Sequence, residues 1–196
     1  MSLGYQPQGA SRRYGSVSVF LHWLIAALVV IQLSLGWTMN EVLKDHSPAK
    51  PLVMWFHVSV GITILMLTLA RLGVRVTQPA PPLPAGMPAW ERALARATHV
   101  LFYMLLMGLP VSGWALVSMR KGPISWWGAP WPALPGMTGL SHPTRHALSH
   151  AHVYVMIWVL LITLLLHVSG ALWHQFDGRP VLWRMGVTRR PSSIGL

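Results

Sequence analysis

The sequence predicts an all-α integral membrane protein built as a four-helix bundle, and three observations lead there. The chain has 196 residues, of which 53% are hydrophobic and only 10% charged; soluble domains average about 25% charged residues. Its apolar residues gather into four runs, each long enough for the roughly 20 helical residues that cross a bilayer. Histidine, a costly residue at membrane depth, recurs inside those runs.

The first run, about 17–39, opens with Val17-Ser18-Val19-Phe20 and continues for a full span, so it is expected to be a retained helix and not a cleaved signal. The second, about 52–76, carries Arg71 and Arg75 near its end. The third, about 92–119, contains Pro110, which is expected to kink it. The fourth, about 147–176, exceeds the bilayer thickness and is expected to tilt or protrude. Strands are not expected in the spans, because each segment must close its own backbone hydrogen bonds in hydrocarbon. The connections differ in character. Asn40–Pro51 is short and mixed in charge. Thr77–Pro88 holds Pro79, Pro81, Pro82, Pro84 and Pro88, a stiff extended link. Lys121–Arg145 places Trp126, Trp127 and Trp131 among Gly and Pro, a composition suited to the headgroup layer.

Charge and missing residue types narrow the function. Net charge is +11 with only four acidic residues. Because the arginines flank apolar runs, topology and anionic lipid account for this excess, and nucleic acid is not an expected partner. One side of the membrane holds Arg12, Arg13, Arg71, Arg75, Arg92, Arg96, Arg179, Arg184, Arg189 and Arg190; the other holds Lys44, Lys50, Arg120, Lys121 and Arg145. The richer side is read as cytoplasmic, with both termini inside. The chain has no Cys, which excludes thiolate-ligated iron–sulfur clusters, Cys-attached haem and disulfides.

Helical rise sorts the membrane histidines by depth. His57 and His152 each lie near the outer face; His22 and His167 each lie nearer the inner face. His152 and His167 are about 22 Å apart along one helix and differ by about 60° in azimuth, so both can face the bundle interior. Two depth-matched imidazole pairs suit two stacked b haems, one near each face. A single histidine in an apolar helix is more often a packing residue, and surplus candidates remain: His99 at the depth of His22, His174 beyond His167, and His150 in competition with His152. His46, His142 and His146 fall in loops and are expected to be solvated. Gly36, Gly61, Gly108, Gly113 and Gly170 lie within the spans, where a flat cofactor or a neighbouring helix approaches. Arg71 is a candidate partner for haem propionates, and a snorkelling anchor accounts for it equally well.

At these residues the chain resembles the bacterial cytochrome b561 family. The resemblance is carried by Phe20-Leu21-His22-Trp23-Leu24 after Arg13-Tyr14, and by Trp55-Phe56-His57-Val58-Ser59-Val60-Gly61. It continues in His99 with Tyr103, Pro110 and Gly113, and in Leu166-His167-Val168-Ser169-Gly170-Ala171-Leu172-Trp173-His174 with Asp177-Gly178 and Arg184-Met185. Ile124-Ser125-Trp126-Trp127-Gly128, with Pro132 and Pro135, resembles the family's outer loop, and the likeness covers roughly residues 12–187. It implies a four-helix cytochrome with two b haems. The inner haem would be ligated by His22 and His167, and the outer by His57 and the first fourth-span histidine. The family spaces its two fourth-span ligands fourteen residues apart, and here that position is Val153. His152, at fifteen, requires a local bulge; His150, at seventeen, would face about 100° away from His167.

The expected function is therefore a di-haem b-type cytochrome of the bacterial inner membrane. It would transfer electrons between an outer-side donor, a small anion such as superoxide or a redox partner protein, and ubiquinone. Arg120, Lys121 and Arg145 are positioned to steer an anion, and His174 and His99 are candidates for proton delivery or quinone hydrogen bonding. The alternatives are a cytochrome b subunit anchoring a hydrogenase or dehydrogenase and, in a different class, a haem-free transporter using its histidines for protons or metal.

Overall fold

A computed structural model describes residues 13–78, 81–82, 86–120, 122–177 and 179–188. Arg12, Lys121, Arg189 and Arg190 of the charge count, Pro79 and Pro84 of the link, and Gly178 lie outside the described residues. Four helices are long and apolar enough to cross a membrane: Ser16–Val42, Lys50–Thr77, Ala89–Ser118 and His142–Phe176. The first consists of α1 (Ser16–Trp37) and a π-helical turn at Thr38–Val42. The second is α2 (Lys50–Thr77) and the third is α3 (Ala89–Ser118), which runs through Pro110 without a break. The fourth comprises α4 (His142–His150), a π-helical turn at Ala151–Met156 and α5 (Ile157–Phe176). The end of the bundle at which α2 begins is termed outer.

Local chemistry explains where these helices start. Pro51 sits in the first turn of α2, where a missing N–H costs nothing. Ser141 caps α4 by accepting from the Thr144 amide at 3.4 Å, again with a proline in the first turn. That polar start carries the helix back to His142, ahead of the apolar run that begins near 147. His142 and His146, expected in a loop, therefore lie on α4. Ahead of α2, the Lys50 ammonium holds the Asp45 carboxyl below the usual carboxylate range.

α1 packs along α2, α2 along α3, and α3 along α5. The shared core is a belt of Ile25, Val29, Val60, Ile64, Leu105 and Leu160 midway between the two histidine levels. Phe20, Trp23, Ile31, Leu69, Val100, Leu165 and Phe176 are exposed. Large side chains of this kind on the outside of a bundle suit hydrocarbon tails in place of water.

The outer connection contains structure that the spans do not. Strands β1 (Ile124–Trp126) and β2 (Ala129–Trp131) pair antiparallel, Trp126 opposite Ala129. Trp127 and Gly128 between them both have positive φ, at 50° and 92°, the signature of a tight two-residue hairpin turn. This hairpin does not float in the headgroup layer. Trp126 and Trp127 donate their indole N–H groups to Thr63 Oγ1 at 3.1 and 2.9 Å, and the Trp127 amide donates to Ser59 Oγ at 3.2 Å. Ser59 and Thr63 lie two to three turns into α2. Buried hydroxyls on the helix thus draw the tryptophans down its flank, because an indole N–H in an apolar setting needs an acceptor.

Candidate functional site

Two clusters of histidine lie inside the bundle, one above and one below the core belt. In the outer cluster, His57 from α2 faces His152 from the second π-helical turn, with ring centres 6.2 Å apart. The π-helical turn takes up one extra residue, the adjustment that a fifteen-residue separation from His167 requires. His150 turns away: it is exposed and packs on Tyr154, ring centres 5.1 Å apart.

The surroundings of His152 define its chemistry. Ser112 on α3 donates to the Leu109 carbonyl at 2.8 Å and has its oxygen 2.8 Å from His152 Nδ1. With the hydroxyl proton used on Leu109, Ser112 accepts from Nδ1–H, and the Nε2 lone pair is left for another partner. His57 meets Gln32 instead, whose amide nitrogen lies 3.2 Å from His57 Nε2. Gln32 Oε1 and His57 Nδ1 are both buried without a partner.

Glycines make room for these rings. A Cβ at Gly113 would stand 3.1 Å from His152 Cε1, and one at Gly36 would stand 3.4 Å from His57 Cε1. A Cβ at Gly61 would meet Gln32 Nε2 at 3.2 Å. The His152 imidazole therefore approaches the backbone at Gly113 more closely than an alanine comfortably allows, while His57 stands at the edge of ordinary contact with Gly36. At Gly108 the nearest atom, Met156 Sδ, is 3.8 Å away, and at Gly170 nothing lies within 4 Å.

Both outer imidazoles line a cavity of about 480 Å³ that also touches Gly36, Gly61 and Gly113. Such a volume falls in the range of about 300–1,000 Å³ typical of cofactor and ligand sites. Lys50, Arg120, Arg145, His142 and His146 also line it, so an apolar slot carries cationic and titratable groups at its outer end.

In the inner cluster, His167 of α5 meets three aromatic neighbours. His22 of α1 lies 6.2 Å away between ring centres, His99 of α3 5.5 Å and Phe102 5.2 Å. His99 is on an exposed flank, and its Nδ1 is 2.6 Å from the Ala95 carbonyl, to which it donates. Arg71 reaches the same region from α2, donating to the Ser18 carbonyl at 3.1 Å. His174 is engaged elsewhere. Its Nε2 is 3.9 Å from Glu91 Oε2, which accepts from Arg179 Nη1 at 2.9 Å. Arg179 also pairs with Asp177, and that carboxylate, followed by Glu91, raises the guanidinium above its usual value.

The structure thus gathers His57 with His152, and His22 with His167 and His99. It leaves His174 with Glu91, so the two proton or quinone candidates, His99 and His174, engage different partners. Sequence reasoning passed over Gln32, Ser112 and Glu91. Gln32 was detectable as a polar residue inside an otherwise apolar run. Ser112, between Pro110 and Gly113, and Glu91, one of four acids, gave weaker signals.

Comparison with known proteins agrees with this architecture. The profile of the family described as prokaryotic cytochrome b561 matches residues 13–186. Cytochrome b561 homolog 2 of Escherichia coli K12 is 31% identical over 94% of this chain and 96% of its own length. The probable superoxide oxidase CybB of Yersinia pestis is 30% identical over 56% of this chain and 60% of its own. Cytochrome b562 of Cereibacter sphaeroides is 26% identical over 83% of this chain. With four spanning helices and a profile match over nearly its whole length, the chain belongs to the prokaryotic cytochrome b561 family: it is a multi-pass bacterial inner-membrane protein of electron transfer, for which the family implies haem b.

Proposed function

We propose that the protein is a di-haem b-type cytochrome that moves electrons across the inner membrane, from an outer-side donor to a quinone. The observation that carries this reading is the equal spacing of two imidazole pairs, both 6.2 Å between ring centres. Two imidazoles holding one metal ion through nitrogens about 2.0 Å away would have ring centres roughly 6 Å apart, a separation both pairs match. The 5.5 Å between His99 and His167 is short for that arrangement, which favours His22 as the partner of His167. Haem b held by these imidazoles would supply reversible one-electron chemistry.

The residues present fit such a group. Ser112 fixes the tautomer of His152 and leaves Nε2 available. Gln32 Oε1 and His57 Nδ1, buried and unpartnered, mark a polar site with unmet hydrogen bonding, since native buried groups are seldom orphaned. Ligation through His57 Nε2 requires the Gln32 amide to turn aside. Arg71, placed at the Ser18 carbonyl, is the inner-side cation for a propionate, and Lys50, Arg120 and Arg145 serve the outer cavity.

For the donor, we favour a small anion. The Yersinia relative is a probable superoxide oxidase, and cations around the outer cavity raise the local concentration of an anion. His99 and His174 are assigned to hydrogen bonding or proton delivery at a ubiquinone site on the inner side. The test is reduction of ubiquinone by the purified protein alone, with a superoxide-generating system as sole donor. Quinol formation above the protein-free rate supports the reading. Activity that appears only with a co-purifying hydrogenase or dehydrogenase partner would overturn it in favour of an anchoring subunit.

A further inference from the structure

Among the described residues, Arg184 is the one buried cation that the function above does not use. It lies in a short 3-10 turn, Leu182–Met185, after α5, and is 8% exposed. The turn is drawn under the inner end of the bundle. Trp23, next to His22, donates its indole N–H to the Met185 carbonyl at 2.9 Å, and Arg184 Nη1 donates to the Pro82 carbonyl in the α2–α3 link at 2.6 Å. Gly186 closes the turn in the left-handed conformation, with φ of 79°, and the space beside it is taken by Arg13 and Val19.

The charge of Arg184 is poorly compensated. Its Nε is buried without a partner. The Trp183 ring, 5.9 Å from the guanidinium carbon, offers a partial balance. Burial lowers the guanidinium from its usual value, and nearby Tyr14 offsets this in part. Among the described residues no carboxylate is placed to finish the job. The chain has four acidic residues; Asp45 pairs with Lys50, Asp177 and Glu91 pair with Arg179, and Glu41 lies in the turn at the outer end of α1. A buried guanidinium calls for a paired anion, and one that bulk solvent cannot reach at Nε must find its acceptor within the fold.

We propose that Arg184 binds a carboxylate of the inner site, namely a propionate of the haem b there. This rests on the assignment of that haem to His22 and His167, and it gives the tail after α5 a role in holding the cofactor from the cytoplasmic side. The Trp23–Met185 hydrogen bond sets the tail against the helix that carries His22, so the cation is delivered to the level below the ligand. A fork of N–H donors suits a carboxylate better than a lysine ammonium does.

The experiment is a redox titration of the purified holoprotein with Arg184→Gln, read against wild type and His22→Ala. Two reduction waves in wild type, one of them lost in His22→Ala, are the expected baseline. In Arg184→Gln the wave that His22→Ala removes is expected to move to lower potential, because losing a cation favours ferric iron, while the other wave stays in place. If Arg184→Gln does not assemble, Arg184→Lys carries the test through the propionate-bending bands of resonance Raman spectra, where a shift of one haem's band is expected. Both waves at wild-type potential, a shift confined to the wave that survives His22→Ala, or unshifted bands in Arg184→Lys would each overturn the proposal. A wild-type protein with a single haem, or His22→Ala retaining both, would instead refute the two-site reading on which it rests.

Discussion

Single atoms decide whether an imidazole in this bundle is a spectator or a candidate ligand. His152 and His150 are two residues apart, yet only His152 has Nδ1 set by a hydroxyl, Ser112 Oγ at 2.8 Å. The glycine opposite it matters as much. A methyl group at Gly113 would sit 3.1 Å from His152 Cε1, so the ring must shift by a few tenths of an ångström or the helix must move. Gly113→Ala is expected to cost about 1–3 kcal/mol of stability, as overpacking does, and to perturb the spectrum of the outer haem alone. Thermal unfolding in detergent and a reduced-minus-oxidised spectrum check both parts. The same change at Gly170, with nothing within 4 Å, should be silent, and the contrast separates close approach from general helix packing.

At the scale of elements, the fourth span is the most telling, because the one-residue excess between its histidines called for a local bulge. Its apolar run identified a helix, and periodicity left positions 152 and 167 about 60° apart in azimuth. The remainder is taken up by the π-helical turn at Ala151–Met156, the bulge that the fifteen-residue spacing called for but whose exact place no pattern of fixed period could give. Tyr154 is an exposed residue of that turn. Deleting it should restore ordinary α-helical spacing and leave both haems bound, whereas inserting one alanine after Leu161 should rotate one histidine by about 100° relative to the other and cost one haem. Haem-to-protein ratio by pyridine haemochrome reads each outcome; equal haem content in both variants would contradict the role given to the turn. The tryptophan hairpin was hidden for a different reason. Its position depends on Ser59 and Thr63 of a distant helix, and composition at 124–131 carries no trace of those partners.

For the molecule as a whole, the hydropathy pattern was enough to identify four spans, because continuous apolar runs of roughly 20 residues or more can satisfy their backbone in hydrocarbon as helices. The two histidine levels were legible too, since rise per residue converts position into depth. What depth could not supply was second partners: Gln32 on His57, Ser112 on His152, and Glu91 with His174 emerge only when helices are placed side by side. Ten cationic residues of the sequence fall at one face against five at the other, and the positive-inside rule predicts cytoplasmic termini from that asymmetry. A reporter fused after Leu196 should therefore be active if it requires the cytoplasm and inactive if it requires export; the reverse would exchange the outer and inner sites. The central claim, that two imidazole pairs hold two haems, is tested most directly by counting haem b per chain in purified wild type and His57→Ala. The account predicts two in the wild type and one in the variant. One haem or none in the wild type, or two retained in His57→Ala, would contradict it.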